Sequence, residues 1–192
     1  MRRAVLVTGA SRGIGRAIAQ AFARQGDRVA VHHRDSAGLA REVLAGLPGS
    51  GHAIVRADLA DPEAVRQMVD QAAADLGGLN VLVNNAGIYH WHTITEVSYD
   101  QWQDAWRDTL AVNLTGAANV TWCAVQHMRQ TGGRIVNVSS RGAFRGEPSS
   151  SSILSCGVQV LELDPCILGC EAPVDTPAGV VARCLPGHDL PL

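Results

Sequence analysis

Apolar positions follow two alternating rhythms along residues 4–138. Short unbroken runs predict strands at residues 4–7, 28–32, 53–56, 81–83 and 134–138. Unbroken runs belong to strands covered on both faces, where every side chain meets another layer. Between them, Ile14, Ala17, Ile18, Ala21 and Phe22 recur at helical spacing and stop at Gly26. Residues 36–45 predict a second helix, closed by Gly46 and Pro48. Asp61-Pro62-Glu63 joins a capping residue to a proline in the first turn and predicts a helix to Leu76, ended by Gly77-Gly78. Residues 99–104 and 106–128 predict two more helices, the second long and well buried. Strand and helix in alternation predict an α/β fold with a doubly wound parallel sheet. Right-handed crossovers give the strand order 3-2-1-4-5. After Val138 the rhythm is lost, although residues 156–163 can form a strand.

Composition breaks near the same place. Residues 1–148 hold fifteen of the sixteen arginines, all eight aromatics and one cysteine, Cys123. Residues 149–192 hold Cys156, Cys166, Cys170 and Cys184, five of the eight prolines, and no aromatic. Two parts are therefore expected: an α/β domain over 1–148 and an irregular tail over 149–192. The net charge of −2 gives no reason to expect nucleic acid or an anionic membrane as partner. No apolar run reaches the roughly 18–20 residues that span a bilayer. The N-terminal apolar run meets Thr8-Gly9 too early for a signal peptide, so it is read as the first strand. A single cysteine in 1–148 agrees with a reducing, cytoplasmic setting.

The candidate chemistry begins at Thr8-Gly9-Ala10-Ser11-Arg12-Gly13-Ile14-Gly15, between a strand and a helix. Glycines there allow a tight turn and close approach of backbone to a pyrophosphate, and the helix start offers free N–H groups. The Gly-x-x-x-Gly-x-Gly spacing differs from the usual dinucleotide fingerprint. It resembles the short-chain dehydrogenase/reductase family. Asn84-Asn85-Ala86-Gly87, Asn113-Leu114-Thr115-Gly116 and Arg134-Ile135-Val136-Asn137-Val138-Ser139-Ser140 resemble three further hallmarks of that family, in the right order. Among its members, the 3-oxoacyl-carrier-protein reductases and related carbonyl reductases look most similar.

The resemblance implies a nicotinamide dinucleotide held by Gly9, Ser11, Arg12, Gly13, Ile14 and Gly15. Asp58 and Leu59 would border the adenine, and Asn85, Ala86 and Gly87 would line the ribose and nicotinamide path. An acidic residue ending the second strand would select NAD. His33 stands there, and Arg34 follows. With Arg12 in the loop, two arginines suit a 2′-phosphate, which predicts NADP(H). The alternative is that Arg34 is a surface residue neutralised by Asp35.

The resemblance also implies hydride transfer between that cofactor and a small carbonyl or alcohol, usually in a homo-oligomer. Ser140 would hold the carbonyl oxygen, and Asn113 would support a water-linked proton path. A tyrosine proton donor and a lysine four residues later complete the family's site. The family interval places them at Ile153 and Gly157, and the chain contains no lysine at all. Near-inactivity as a reductase is therefore expected. So are a sheet truncated after its fifth strand, an exposed edge there unless the tail pairs with it, and low stability. The tail reads as a frameshifted or alternatively spliced end, as a zinc-binding segment, or as part of a cofactor-binding pseudoenzyme. His90 and His92 would line the substrate entrance or face solvent, and the four tryptophans would serve packing.

Overall fold

The computed structural model describes residues 2–139 and the backbone of residues 159–163. Five parallel strands stand in the order 3-2-1-4-5: β1 (Ala4–Val7), β2 (Arg28–His33), β3 (Ala53–Arg56), β4 (Val81–Asn84) and β5 (Gly133–Asn137). The helices α1 (Gly13–Arg24), α2 (Ala37–Ala45) and α3 (Pro62–Leu76) form the crossovers. Register follows the apolar runs, with Val5 beside Val29 on one side and beside Val81 on the other. Neighbouring positions on each strand serve opposite layers. Ala4 and Leu6 join Leu82 and Ile135 under α3, while Val5 and Val7 join Val29, Val31 and Val83 under α1 and α2. Burial on both faces is why these strands carry no polar alternation.

Helix α3 begins as its residues dictate. The Asp61 carboxylate accepts from the Glu63 and Ala64 amides at 2.9 and 3.1 Å, Pro62 needs no partner at the first turn, and Gly77 closes the helix at φ 67°.

One expectation changes. The segment read as two helices is one unbroken helical run: α4 (Tyr99–Leu110), a π turn (Ala111–Gly116) and α5 (Ala117–Met128). Ser98 and Gln101 start it with a reciprocal capping box. The run is also less buried than expected, since Leu114 and Trp122 are exposed. The sheet edge follows the expected alternative in which the tail pairs with the fifth strand. The parallel part ends at β5, and β6 (Gln159–Leu163) then pairs antiparallel with it, Ile135 opposite Leu161. The unpaired amides and carbonyls of an edge strand are satisfied by any extended segment within reach, and a residue stretch beyond Val138 supplies it. The expected compositional boundary at 148 and the cysteines of the tail lie outside the described residues.

Candidate functional site

The site lies at the carboxyl ends of β1, β2, β3 and β4, where the strand order reverses between β1 and β4. The turn after β1 is held from three directions. Thr8 Oγ1 accepts from the Asn85 and Ala86 amides at 2.9 and 3.0 Å and donates to the Val83 carbonyl. The Asn85 side-chain amide donates to the Thr8 carbonyl at 2.9 Å and reaches the Gly9 carbonyl at 3.4 Å. His32 Nδ1 accepts from the Gly9 amide at 2.9 Å, while the His32 carbonyl accepts from Ala10.

Two glycines are required by this packing. Gly9 has φ 63°, and a Cβ there would stand 2.9 Å from the Ala86 Cα. At Gly15 a Cβ would collide with the Gly9 carbonyl and lie 2.5 Å from the Asn85 amide nitrogen. Helix α1 then opens with no side-chain cap on its first amides. An uncapped helix start beside a glycine turn suits an anionic group. Arg12, Gly13 and Ile14 are exposed along it, Ile14 at 65%, whereas Ser11 and Gly15 are buried.

At the end of β2 the two histidines differ. His32 is 2% exposed and bonded at both ring nitrogens, Nδ1 to Gly9 and Nε2 to the Ala57 carbonyl at 3.1 Å. Burial, the largest influence, drives its pKa down to about 4, so the ring is neutral. His33 is 5% exposed, and its Nδ1 has no partner among the described residues. Arg34 follows at the surface and pairs with Asp35 at 2.7 Å. Sequence reasoning passed over Arg56, the last residue of β3. It lies opposite His33 in the ladder, and its Nε donates to the Arg34 carbonyl at 3.0 Å. The readable signal was its place at a strand's carboxyl end beside the selecting position.

Asp58 is exposed and its carboxylate accepts from the Ala60 amide, while Leu59 is buried in the core. Gly116 explains part of the Asn-Leu-Thr-Gly motif: a Cβ there would stand 2.6 Å from the Leu59 carbonyl. Asn113, in the π turn, explains the rest. Its Oδ1 accepts from the Ile88 amide at 2.8 Å and its Nδ2 donates to the Ile88 carbonyl at 2.9 Å. The side chain thus fastens the exit from Asn85, Ala86 and Gly87. With both side-chain atoms engaged, Asn113 acts here as a support for that loop. Ser139 is half-buried, and Ser140 lies outside the described residues.

The segment after β4 corrects one reading. His90 is exposed, but His92 is 1% exposed, bonded through Nδ1 to the His90 carbonyl and set edge-on to Trp102 at 5.2 Å. It packs inward and does not face solvent. Among the described residues no group of three or more metal-ligating side chains comes together. None of the described helices is long and apolar enough to cross a membrane.

Known proteins resemble this chain in sequence and fold. The family model described as short chain dehydrogenase matches residues 3–152. An uncharacterized oxidoreductase of Thermotoga maritima is 37% identical over 150 residues, covering 77% of this chain and 57% of that protein. The 3-oxoacyl-[acyl-carrier-protein] reductase FabG of Staphylococcus aureus is 34% identical over 166 residues, covering 85% and 66%. The chain therefore spans less than two thirds of the length of these relatives. The crystal structure of a short chain dehydrogenase from Burkholderia cenocepacia in complex with NADP superposes with a TM-score of 0.70 at 38% identity, covering 79% of this chain and 61% of that one. With the glycine turn, the Asn-Asn-Ala-Gly segment and the Asn113 support all in place, the chain belongs to the short-chain dehydrogenase family.

Proposed function

We propose that this chain binds NADP(H) through residues 8–15, 33–34, 58–59 and 85–87 and that, as written, it is nearly inactive in the hydride transfer of its family. The observation that carries the reading is the glycine turn. Its inward groups are tied to Thr8, His32 and Asn85, and no side chain caps the helix that follows. A pyrophosphate would lie on those helix amides. The buried, unpartnered Nδ1 of His33 and the guanidinium groups of Arg34 and Arg12 suit the adenosine ribose and its 2′-phosphate. Arg34 is 55% exposed, so its pairing with Asp35 is weak and exchanges readily for a phosphate. The relative crystallised with NADP supports the same choice.

The bound cofactor would supply or accept hydride. The chain would contribute position: Asn113 holding the Ile88 backbone, and Ser140 offered to a carbonyl oxygen. The substrate class would be a small carbonyl or alcohol, as the likeness to a 3-oxoacyl reductase suggests. A proton donor is the missing part. The two tyrosines, Tyr89 and Tyr99, have no lysine partner, because the chain has none. Loss of a general acid removes about 10²–10⁴-fold in rate. Titration with NADPH and NADH, followed by an NADPH-oxidation assay with a reactive ketone, tests both parts. Saturable binding with NADPH preferred and negligible oxidation is the expected result. Absence of binding, or turnover at rates ordinary for the family, overturns it.

A further inference from the structure

We infer that His32 is a positioning residue that fixes the glycine turn in its binding form by offering a bare ring nitrogen to the Gly9 amide, while its other ring nitrogen donates to the Ala57 carbonyl. The inference rests on the NADP(H) reading and adds a residue that touches no cofactor. Geometry dictates the ring's proton. Nδ1 faces the Gly9 amide, which can only donate, so Nδ1 must accept. Nε2 faces the Ala57 carbonyl, which can only accept, so Nε2 must donate. One neutral tautomer satisfies both, and the imidazolium satisfies only one.

The consequence reaches both loops. The Gly9 amide goes to the His32 ring and the Ala10 amide to the His32 carbonyl, so two consecutive donors of the turn point inward onto one residue. Asn85 takes the carbonyl side of the same turn. The amides that come next belong to the uncapped start of α1. On its other edge the ring holds Ala57, the residue directly before Asp58 and Leu59. A ring with 2% exposure, bonded at both ends, joins the phosphate turn to the adenine loop.

Two substitutions separate the two bonds. In His32→Asn the side-chain oxygen reaches the place of Nδ1 and keeps an acceptor for Gly9. In His32→Gln the side-chain amide reaches the place of Nε2 and keeps only the donor to Ala57. NADPH affinity is expected to stay within about threefold in His32→Asn and to fall about ten- to hundredfold in His32→Gln, because the latter leaves the Gly9 amide unpaired. Hydrogen exchange at Gly9 without cofactor gives an independent reading. Protection is expected in the wild type and His32→Asn, with fast exchange in His32→Gln. Equal loss of affinity in both variants, or full affinity and a protected Gly9 in His32→Gln, overturns the inference. If His32→Gln does not fold, a tenfold or greater loss in folded His32→Asn overturns it as well. A wild type that fails to bind NADPH refutes the cofactor reading, and Gly9 exchange then still decides whether His32 holds the turn.

Discussion

The region up to β4 and the region beyond it dispose of their buried polar atoms differently. Around the glycine turn, Thr8, His32 and Asn85 give nearly every inward group a partner. Beyond β4 the described residues include four buried side-chain atoms without one: His92 Nε2, Trp106 Nε1, Thr109 Oγ1 and Ser139 Oγ. The longer stretch up to the end of β4 has three, Arg28 Nε, His33 Nδ1 and Asn84 Oδ1. Large exposed apolar side chains divide the same way. Tyr89, Trp91, Ile94, Tyr99, Leu114 and Trp122 lie in the second region, and only Ile14 and Leu39 in the first. Buried polar atoms are normally paired, and each exception needs a reason. The glycine turn of the first region is held by that region's own residues and by Asn85. In the second, on the reading proposed above, Asn113 and its loop stand without the tyrosine and lysine that they would serve.

Acid should break the first region with the largest effect. His32 has its folded pKa lowered to about 4, chiefly by burial, against an ordinary 6.5. A lowered folded value means the neutral ring's contribution is complete above pH 6.5. It declines as pH falls from 6.5, where the unfolded chain takes up the proton first, and is gone below about 4. The total is on the order of 3 kcal/mol. Denaturant unfolding at a series of pH values should show this slope, and His32→Asn should remove it. A wild type equally stable at pH 7 and pH 4.5 would contradict the burial assigned to the ring.

Gly15→Ala comes next. Its Cβ meets the Gly9 carbonyl and the Asn85 side-chain amide, which is itself bonded to the Thr8 carbonyl. Overpacking of this kind costs about 1–3 kcal/mol. NADPH affinity should fall more than tenfold, measured by titration. Asn113→Ala sharpens the contrast from the other side. It strips the Ile88 amide and carbonyl of their partners and should destabilise by about 1–2 kcal/mol, read by denaturant midpoint. If Asn113 served only a proton path, stability would not move. The smallest effect is expected at the surface. Arg34→Asp should weaken NADPH binding about tenfold and leave NADH binding nearly unchanged, while equal losses would mean that Arg34 serves only its pair with Asp35.

Local pattern made the first region readable. Apolar runs placed five strands, Asp61-Pro62-Glu63 placed a helix start, and the glycine spacing placed the turn. The contacts that complete the site were not readable, because they join residues far apart in the chain. His32 meets Gly9 across 23 positions, and Asn113 meets Ile88 across 25. The latter bond sits in the π turn of a helix that residue periodicity had split in two. Arg56 gained meaning only from its register opposite His33. The pairing of β6 with β5 was one of two outcomes the sequence left open, with a strand within residues 156–163 and an edge exposed unless the tail pairs; its antiparallel register was not readable.

The most direct test of the account joins binding to turnover in one sample. NADPH is titrated into the protein, and its oxidation is then followed with a reactive ketone at saturating cofactor. The account predicts saturable binding, tighter than that of NADH, with oxidation no faster than without protein. Rapid oxidation would show that the chemistry survives without the tyrosine–lysine pair, and failure to bind would show that the completed glycine turn does not make a cofactor site.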